Sequence, residues 1–576
     1  MKGKDFMNND TLIRESLLYK NRENHEESEC RHVFPAVDIE GCDWVNIEDI
    51  GAMPQAALPI YLDDSRALFT KFSHATVIGS TGTGKSEVIV KNMLQIFSRY
   101  PDDKKPSFVA SDLKGDISRQ LYSQLKNSGY EVIVMDMKRP YQSSRYNFMS
   151  RIYDDHHEAV RLRRMLAEGY GDEYEKDGYS SKEEAINAVN AKIYTLTDNV
   201  EKAIDELANI IIVCNDNKDL SWFQGARTMF SAIVLTLLKD SENEKNGMTR
   251  EAFTIANVCR AAFHTDDDCE EIISWLRRAD ELLTVQNAIT GNYELRAKVT
   301  RDGYISTINT ALGAYTTNAI GVLTESSDDI DLREVAKREK PYAIFLITDD
   351  RQKVTNSIAM MFINDLVAEL TQYADSRDYD YIKRDFVFLL DEFANMPPMP
   401  EMSRKITTLR SRRMWMIMAI QSIQQLSQVY GSETCEIILD NCDMSIFLGS
   451  NNLSTKEIFA NSMGQRAGIS ASYQKGNDGN TSESVTTANI PVVRISDLER
   501  LTLGEFYIRA RAISNLKSSM IPYFLRMESS LASDYKDGMF RHYDPRANLY
   551  NISDVLKREE EERTSSASGR KFNFNF

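Results

Sequence analysis

Residues Gly79-Ser80-Thr81-Gly82-Thr83-Gly84-Lys85-Ser86 constrain this chain more than any other stretch. They are a complete G-x-x-x-x-G-K-[ST] phosphate loop, and they directly follow the apolar run 75–78. Glycines let backbone N–H groups turn inward on a triphosphate, Lys85 is suited to neutralise charge between the β- and γ-phosphates, and the Ser86 hydroxyl can ligate Mg²⁺. Such a loop requires a strand before it and a helix after it. The helix expected from Lys85 adds its positive N-terminal end to the same place. The string therefore commits the surrounding residues to an α/β nucleotide-binding domain, with ATP and Mg²⁺ as the expected cofactors.

A phosphate loop names a ligand, and hydrolysis needs further groups. The stretch Asp385-Phe386-Val387-Phe388-Leu389-Leu390-Asp391-Glu392 reads as a buried strand ending in two carboxylates. Asp391 at its end is suited to hold Mg²⁺ through water, and Glu392 to orient or deprotonate an attacking water. The run 414–420 reads as another buried strand, and it ends in Gln421-Ser422. A glutamine there can touch a γ-phosphate and report its loss. Between these elements lies a basic turn with Arg404, Lys405, Arg410, Arg412 and Arg413, and with Trp415 close by. Such a turn suits three uses: contact with single-stranded DNA, an arginine finger in a neighbour's site, or a solvated or inter-subunit face.

Strands and helices alternate through the first part of the domain: strand 74–78, helix 85–100, strand 107–110, helix 115–127, strand 131–135. This is the pattern of a mostly parallel sheet covered by helices. Alternation stops at about 151, and the chain to 338 reads as helical and charged, clearest at 186–213, 222–239, 251–263 and 268–283. Trp222, Phe223 and Phe230 read as core there. The sheet pattern resumes at 342–347, followed by a helix with Ile358, Phe362, Ile363, Leu366 and Leu370 on one face, and by strands at 385–391, 414–420 and 444–449. The expected domains are a polar N-terminal segment 1–70, a nucleotide-binding domain in two parts (71–150 and 339–530), an all-α insertion 151–338 and a charged tail 531–576. Residues 474–487 read as a polar linker unable to bury enough apolar area to order itself, and the spaced aromatics of 571–576 as a terminal tail.

With 42% hydrophobic and 27% charged residues, the composition is that of a globular protein. No run reaches the ~18 apolar residues that mark a membrane-spanning helix; 229–238 reads as a buried helix. The polar first forty residues do not read as a secretory or transit peptide. The seven cysteines lack C-x-x-C spacing, which points to reduced thiols in the cytoplasm and away from zinc. The net charge of −17 argues against a surface coated in DNA, and leaves room for a local basic channel.

Several segments together resemble the type IV secretion coupling proteins, the TraG/TraD-like ATPases of conjugative DNA transfer. Besides the phosphate loop these are Asp112-Leu113-Lys114-Gly115-Asp116, Arg145-Tyr146-Asn147, Trp222-Phe223, and the dense block from Leu390-Asp391-Glu392-Phe393-Ala394-Asn395-Met396-Pro397 through Ile420-Gln421-Ser422 and Leu439-Asp440-Asn441-Cys442-Asp443 to Phe447-Leu448-Gly449. The chain departs from the family's usual pattern at Leu113, Asp116 and Phe148.

The resemblance implies a RecA-like, hexameric, ATP-hydrolysing motor at the cytoplasmic face of the membrane. It would receive a relaxase-bound single strand or a protein substrate, and drive its entry into a type IV secretion channel. The insertion would read substrates, and membrane association would come through a separate anchor or a missing segment. Two other readings fit the phosphate loop: a duplex-DNA translocase of the HerA/FtsK type, against which the helical insertion speaks, and an ATP-binding receptor without turnover, against which Glu392 speaks.

Overall fold

A computed structural model describes residues 42–170, 178–214, 220–265, 268–326, 329–337, 340–349, 351–475, 481–511, 515–526 and 540–569. The tail 571–576 lies outside these residues. The chain divides into two compact units, one built from the residues up to 134 with 334–347 and 370–536, the other from 135–333, 348–369 and 537–576.

The first unit holds a nine-stranded sheet. In chain order its strands are β4 (Ala75–Gly79), β5 (Ser107–Ser111), β6 (Glu131–Asp136), β7 (Tyr342–Ile347), β8 (Phe386–Leu390), β9 (Met414–Ile420), β10 (Met444–Gly449), β13 (Glu505–Ala510) and β14 (Leu516–Ser519); β1 to β3, β11 and β12 belong to smaller sheets. Their spatial order is β14-β13-β10-β4-β9-β8-β5-β7-β6. From β10 through β4, β9, β8 and β5 to β7 every pairing is parallel, whereas β13 joins β10 antiparallel. β4, β5, β7 and β8 are buried along their whole length, as strands covered on both faces must be. β4 sits beside β9 and β10, and its next strand in sequence, β5, lies three places away across β9 and β8. The chain leaves β4 in one direction across the sheet, toward β5, and leaves its neighbour β9 in the other, toward β10. A crevice opens at the carboxyl ends of strands at such a point, and ligands bind there.

Residues 42–70, expected as part of a polar N-terminal segment, form a three-stranded antiparallel sheet of β1 (Cys42–Asn46), β2 (Leu58–Leu62) and β3 (Arg66–Thr70) in the order β1-β3-β2. Leu58, Ile60, Leu62, Leu68 and Phe69 are all buried. The β2–β3 turn is set by Asp63, whose Oδ1 accepts from the backbone N–H of Ser65 and Arg66 at 2.8 and 2.7 Å. The expected polar linker is likewise a hairpin, β11 (Gln465–Lys475) with β12 (Thr481–Pro491), paired from Gln465↔Pro491 to Lys475↔Thr481. A ladder pairs the facing backbone groups of its two strands whatever their side chains, so low hydrophobicity did not exclude it.

The second unit is helical at the expected insertion, with helices at Ser150–Ala167, Lys182–Ile211, Leu220–Ser241, Ile255–Ala262 and Lys298–Gly313 among others. Phe230 is buried as expected, while Trp222 and Phe223 are half-buried. The unit extends beyond 151–338, because 348–369 and the C-terminal residues belong to it. The region expected as a charged tail contains the helix Ile552–Gly569. Just before that helix, Tyr550 donates its hydroxyl to the fully buried Asp240, which also accepts from Trp275 Nε1 at 2.8 Å and Arg278 Nε at 2.6 Å. Three donors satisfy a carboxylate that burial alone would penalise heavily. Among the described residues no helix is long and apolar enough to cross a membrane.

Candidate functional site

All the elements of the candidate site lie in the first unit, at the carboxyl edge of the parallel strands. β4 delivers Gly79, the backbone turns through Gly82 and Gly84 at φ of 86° and 94°, and a π-helical turn Lys85–Val90 leads into the helix Lys91–Phe97. At Gly84 a side chain is excluded twice over. Its conformation is left-handed, and a Cβ would lie 2.8 Å from Val88 Cγ2 and 2.9 Å from Leu503 Cδ1. The loop is fixed from the side by the end of β10: Ser80 N–H donates to the Gly449 carbonyl at 2.9 Å, and Asn451 N–H donates to Ser80 Oγ at 3.3 Å.

Residues more than three hundred positions apart meet here. Ser86 Oγ donates to Asp391 Oδ2 at 2.6 Å. The Lys85 ammonium, only 6% exposed, donates to the Gly79 carbonyl at 2.7 Å and pairs with Glu392 Oε1 at 3.3 Å. Gln421 Nε2 donates to Glu392 Oε2 at 2.8 Å. The structure therefore brings together Lys85, Ser86, Asp391, Glu392 and Gln421, because β4, β8 and β9 are adjacent parallel strands ending on one edge. Burial pushes the Asp391 carboxyl above its ordinary range, against the opposing effects of the Ser86 hydroxyl and the Lys85 charge. The adjoining hydroxyl and carboxylate are hard oxygen donors of the kind Mg²⁺ takes.

Glu392 itself occupies left-handed backbone at φ 53°, ψ 41°, a conformation that costs an L-residue about 1–2 kcal/mol. Ser111, at the end of β5, supports the turn by donating from its hydroxyl to the Asp391 carbonyl at 3.0 Å. Next to it, buried Asp112 caps the helix Asp116–Asn127 by accepting from the N–H groups of Gly115, Asp116 and Ser118 at 2.8, 3.1 and 2.8 Å.

The basic turn is elsewhere. Arg410, Arg412 and Arg413 precede β9, whose seven residues separate them from Gln421 by about 20 Å at the usual rise per residue. Each has an acidic partner: Arg410 with Asp443 at 2.7 Å, Arg412 with Asp375 at 2.7 Å, and Arg413 with Asp385 at 2.5 Å. Trp415, considered as a stacking platform, is half-buried. It stacks on Phe72 at 6.2 Å and donates to Asp385 at 2.8 Å.

Two neighbours of Glu392 were not singled out from the sequence. Asn395 Nδ2 donates to Glu392 Oε2 at 3.3 Å, and Gln425 Nε2 donates to Asn395 Oδ1 at 2.7 Å. Asn395 lies within the block that carries the family resemblance, yet an amide three residues beyond an acid signals nothing until the turn is built.

A mostly parallel sheet with a phosphate loop after an interior strand, and acidic residues ending the strand two places away, defines a RecA-like P-loop protein. The model of the family described as Type IV secretory system Conjugative DNA transfer matches residues 59–526, and the chain belongs to that family. Among solved structures, it is similar to the bacterial conjugative coupling protein TrwBdeltaN70 in an unbound form, with 13% identity and a TM-score of 0.53 over 81% of this chain and 87% of that one. The plasmid coupling protein TrwB in complex with the non-hydrolysable ATP analogue ADPNP gives 13% identity and 0.53 over 81% and 88%. TrwB in complex with the GTP analogue GDPNP gives 12% and 0.55 over 88% and 99%. At these identities the likeness is one of fold. None of the curated proteins matches the chain.

Proposed function

We propose that the protein is an ATP-hydrolysing coupling protein, which recruits a relaxase-bound single strand or a protein substrate and drives its transfer into a type IV secretion channel. The observation that carries this reading is the 2.6 Å contact of Ser86 with Asp391, beside the 3.3 Å pair of Lys85 with Glu392. A phosphate-binding loop and two carboxylates in contact are the parts phosphoryl transfer to water requires. Structures of TrwB with ADPNP, and with ADP and Mg²⁺, support ATP and Mg²⁺ as the ligands.

In this reading the loop 79–86 cradles the phosphates, and Lys85 exchanges the Gly79 carbonyl for phosphate oxygens. Ser86 and Asp391 hold Mg²⁺, which when bound neutralises charge on the phosphates. Glu392 accepts the proton of the attacking water as the water oxygen bonds the γ-phosphorus and the bridging oxygen departs on ADP. Gln421 steadies Glu392 from the end of β9. The helical unit is the substrate reader, and an anchor outside the described residues holds the assembly at the inner face of the membrane.

Arg410, Arg412 and Arg413 cannot serve the phosphate loop of their own chain from the far end of β9. Any γ-phosphate they reach belongs to another copy, as a hexamer would supply; DNA contact and a solvated or inter-subunit face are their other uses. Arg410, with 53% of its side chain exposed, is the most available of the three. Specific ATPase activity is then expected to rise with protein concentration and again on addition of single-stranded DNA. Steady-state hydrolysis over a dilution series, with assembly followed by light scattering, checks this. A monomer whose turnover ignores both variables would point to a different kind of ATPase.

A further inference from the structure

Glu392 has four lone-pair sites for donors, and their occupancy is uneven. Oε2 takes two amide donors, Gln421 Nε2 at 2.8 Å and Asn395 Nδ2 at 3.3 Å, which uses both of its sites. Among the described residues Oε1 faces the Lys85 ammonium, at 3.3 Å. The two oxygens of one carboxylate are therefore not equivalent, and the free lone pair is on the Lys85 side, where the phosphates would lie.

The Asn395 amide is itself oriented. Its Oδ1 accepts from Gln425 Nε2 at 2.7 Å, which leaves Nδ2 as the end that points to Glu392. Gln425 stands on the helix Ile423–Tyr430, which begins two residues after Gln421 and is capped by Ser422 accepting from the Gln425 N–H at 3.2 Å. The preceding residue, Gln424, accepts from Asn452 Nδ2 at 2.6 Å in the loop after β10, the same loop that touches Ser80. The side-chain amides thus make two separate links, Asn452 to Gln424 and Gln425 through Asn395 to the acid, joined by the backbone of one helix.

From this geometry we infer that Asn395 is a positioning residue for hydrolysis, oriented by Gln425. Together with Gln421 it occupies Oε2 of Glu392 and so makes Oε1 the oxygen that takes the proton from water. The inference rests on the reading of Glu392 as the general base. In this role Asn395 acts through Glu392. Its loss leaves the acid in place but free to rotate, and misorientation of a catalytic group by about 1 Å costs up to ~10²-fold in rate.

The test uses the full chain, with steady-state hydrolysis and titration of a fluorescent ATP analogue. Asn395→Ala should lower kcat by about tenfold while analogue affinity and melting temperature hold. Asn395→Asp has the same shape but presents an oxygen to Oε2, so it should fall at least as far as Asn395→Ala; a packing role would spare it. Gln425→Ala should fall in the same direction, and the double variant Asn395→Ala/Gln425→Ala should be no slower than Asn395→Ala alone, since Gln425 acts through Asn395. Additive losses, a parallel loss of affinity, or an active Asn395→Asp would overturn the assignment. Glu392→Gln separates the two levels. If it is slow while the Asn395 variants turn over normally, the positioning role fails and the base stands. If it turns over normally, the base fails and the positioning role falls with it.

Discussion

Glu392→Gln is expected to bind ATP as the parent does and to hydrolyse it ~10² to 10⁴-fold more slowly, the usual cost of removing a general base. The substitution conserves shape. The glutamine oxygen can still accept from Gln421 or Asn395, which now hold Oε2 at 2.8 and 3.3 Å. What disappears is the second oxygen and its negative charge, the part that faces Lys85. Single-turnover hydrolysis alongside an analogue titration checks both halves of the expectation. Equal turnover by Glu392→Gln and the parent would remove Glu392 from the mechanism.

The second large effect is on affinity. Lys85→Ala is expected to weaken ATP binding by ~10 to 100-fold, the value of one charge-assisted hydrogen bond to phosphate. The ammonium is buried, and in the structure its contacts are the Gly79 carbonyl and Glu392. It sits where a phosphate would meet it without crossing water. Calorimetric titration with ATP and Mg²⁺ reads the loss, and an unchanged dissociation constant would show that the loop binds no triphosphate.

What was legible in the sequence was whatever its local string specifies. The phosphate loop is one such string, and an apolar run closed by Asp391-Glu392 is another; each carries its chemistry within eight residues. Their meeting could be argued because both end strands of one parallel sheet. The contacts of Asn395, Gln425 and the Gly449–Asn452 loop were not legible, since they depend on β10, β4, β9 and β8 lying in that order, which no periodicity encodes. The linker expected at 474–487, of which 476–480 lie outside the described residues, was misread for a different reason: composition reports the side chains, whereas the strands are held by their backbone ladder. The contact that ties down the C-terminal residues, Tyr550 with Asp240, was not legible because it spans 310 positions. The arginines were legible as a cluster but not as ion pairs, because their acids come from three separate stretches of chain.

The left-handed backbone at Glu392 inverts a familiar ranking of substitutions. Glycine in place of alanine usually lowers stability by roughly 0.5–1 kcal/mol, because it surrenders more freedom on folding. At φ 53° the opposite should hold: alanine keeps the clash of Cβ with its own backbone, worth about 1–2 kcal/mol, and glycine is relieved of it. Glu392→Gly is therefore expected to melt at a higher temperature than Glu392→Ala, though both are equally without a base, and the reverse order would mean that the turn is relaxed in solution. On the proposed reading of Glu392 as the base, its side chain serves turnover while its backbone costs stability, so durability is given up for turnover at this position. A search for more heat-resistant forms of this protein that watched only melting temperature would be drawn to this codon, and on that reading would select proteins that last longer and do nothing.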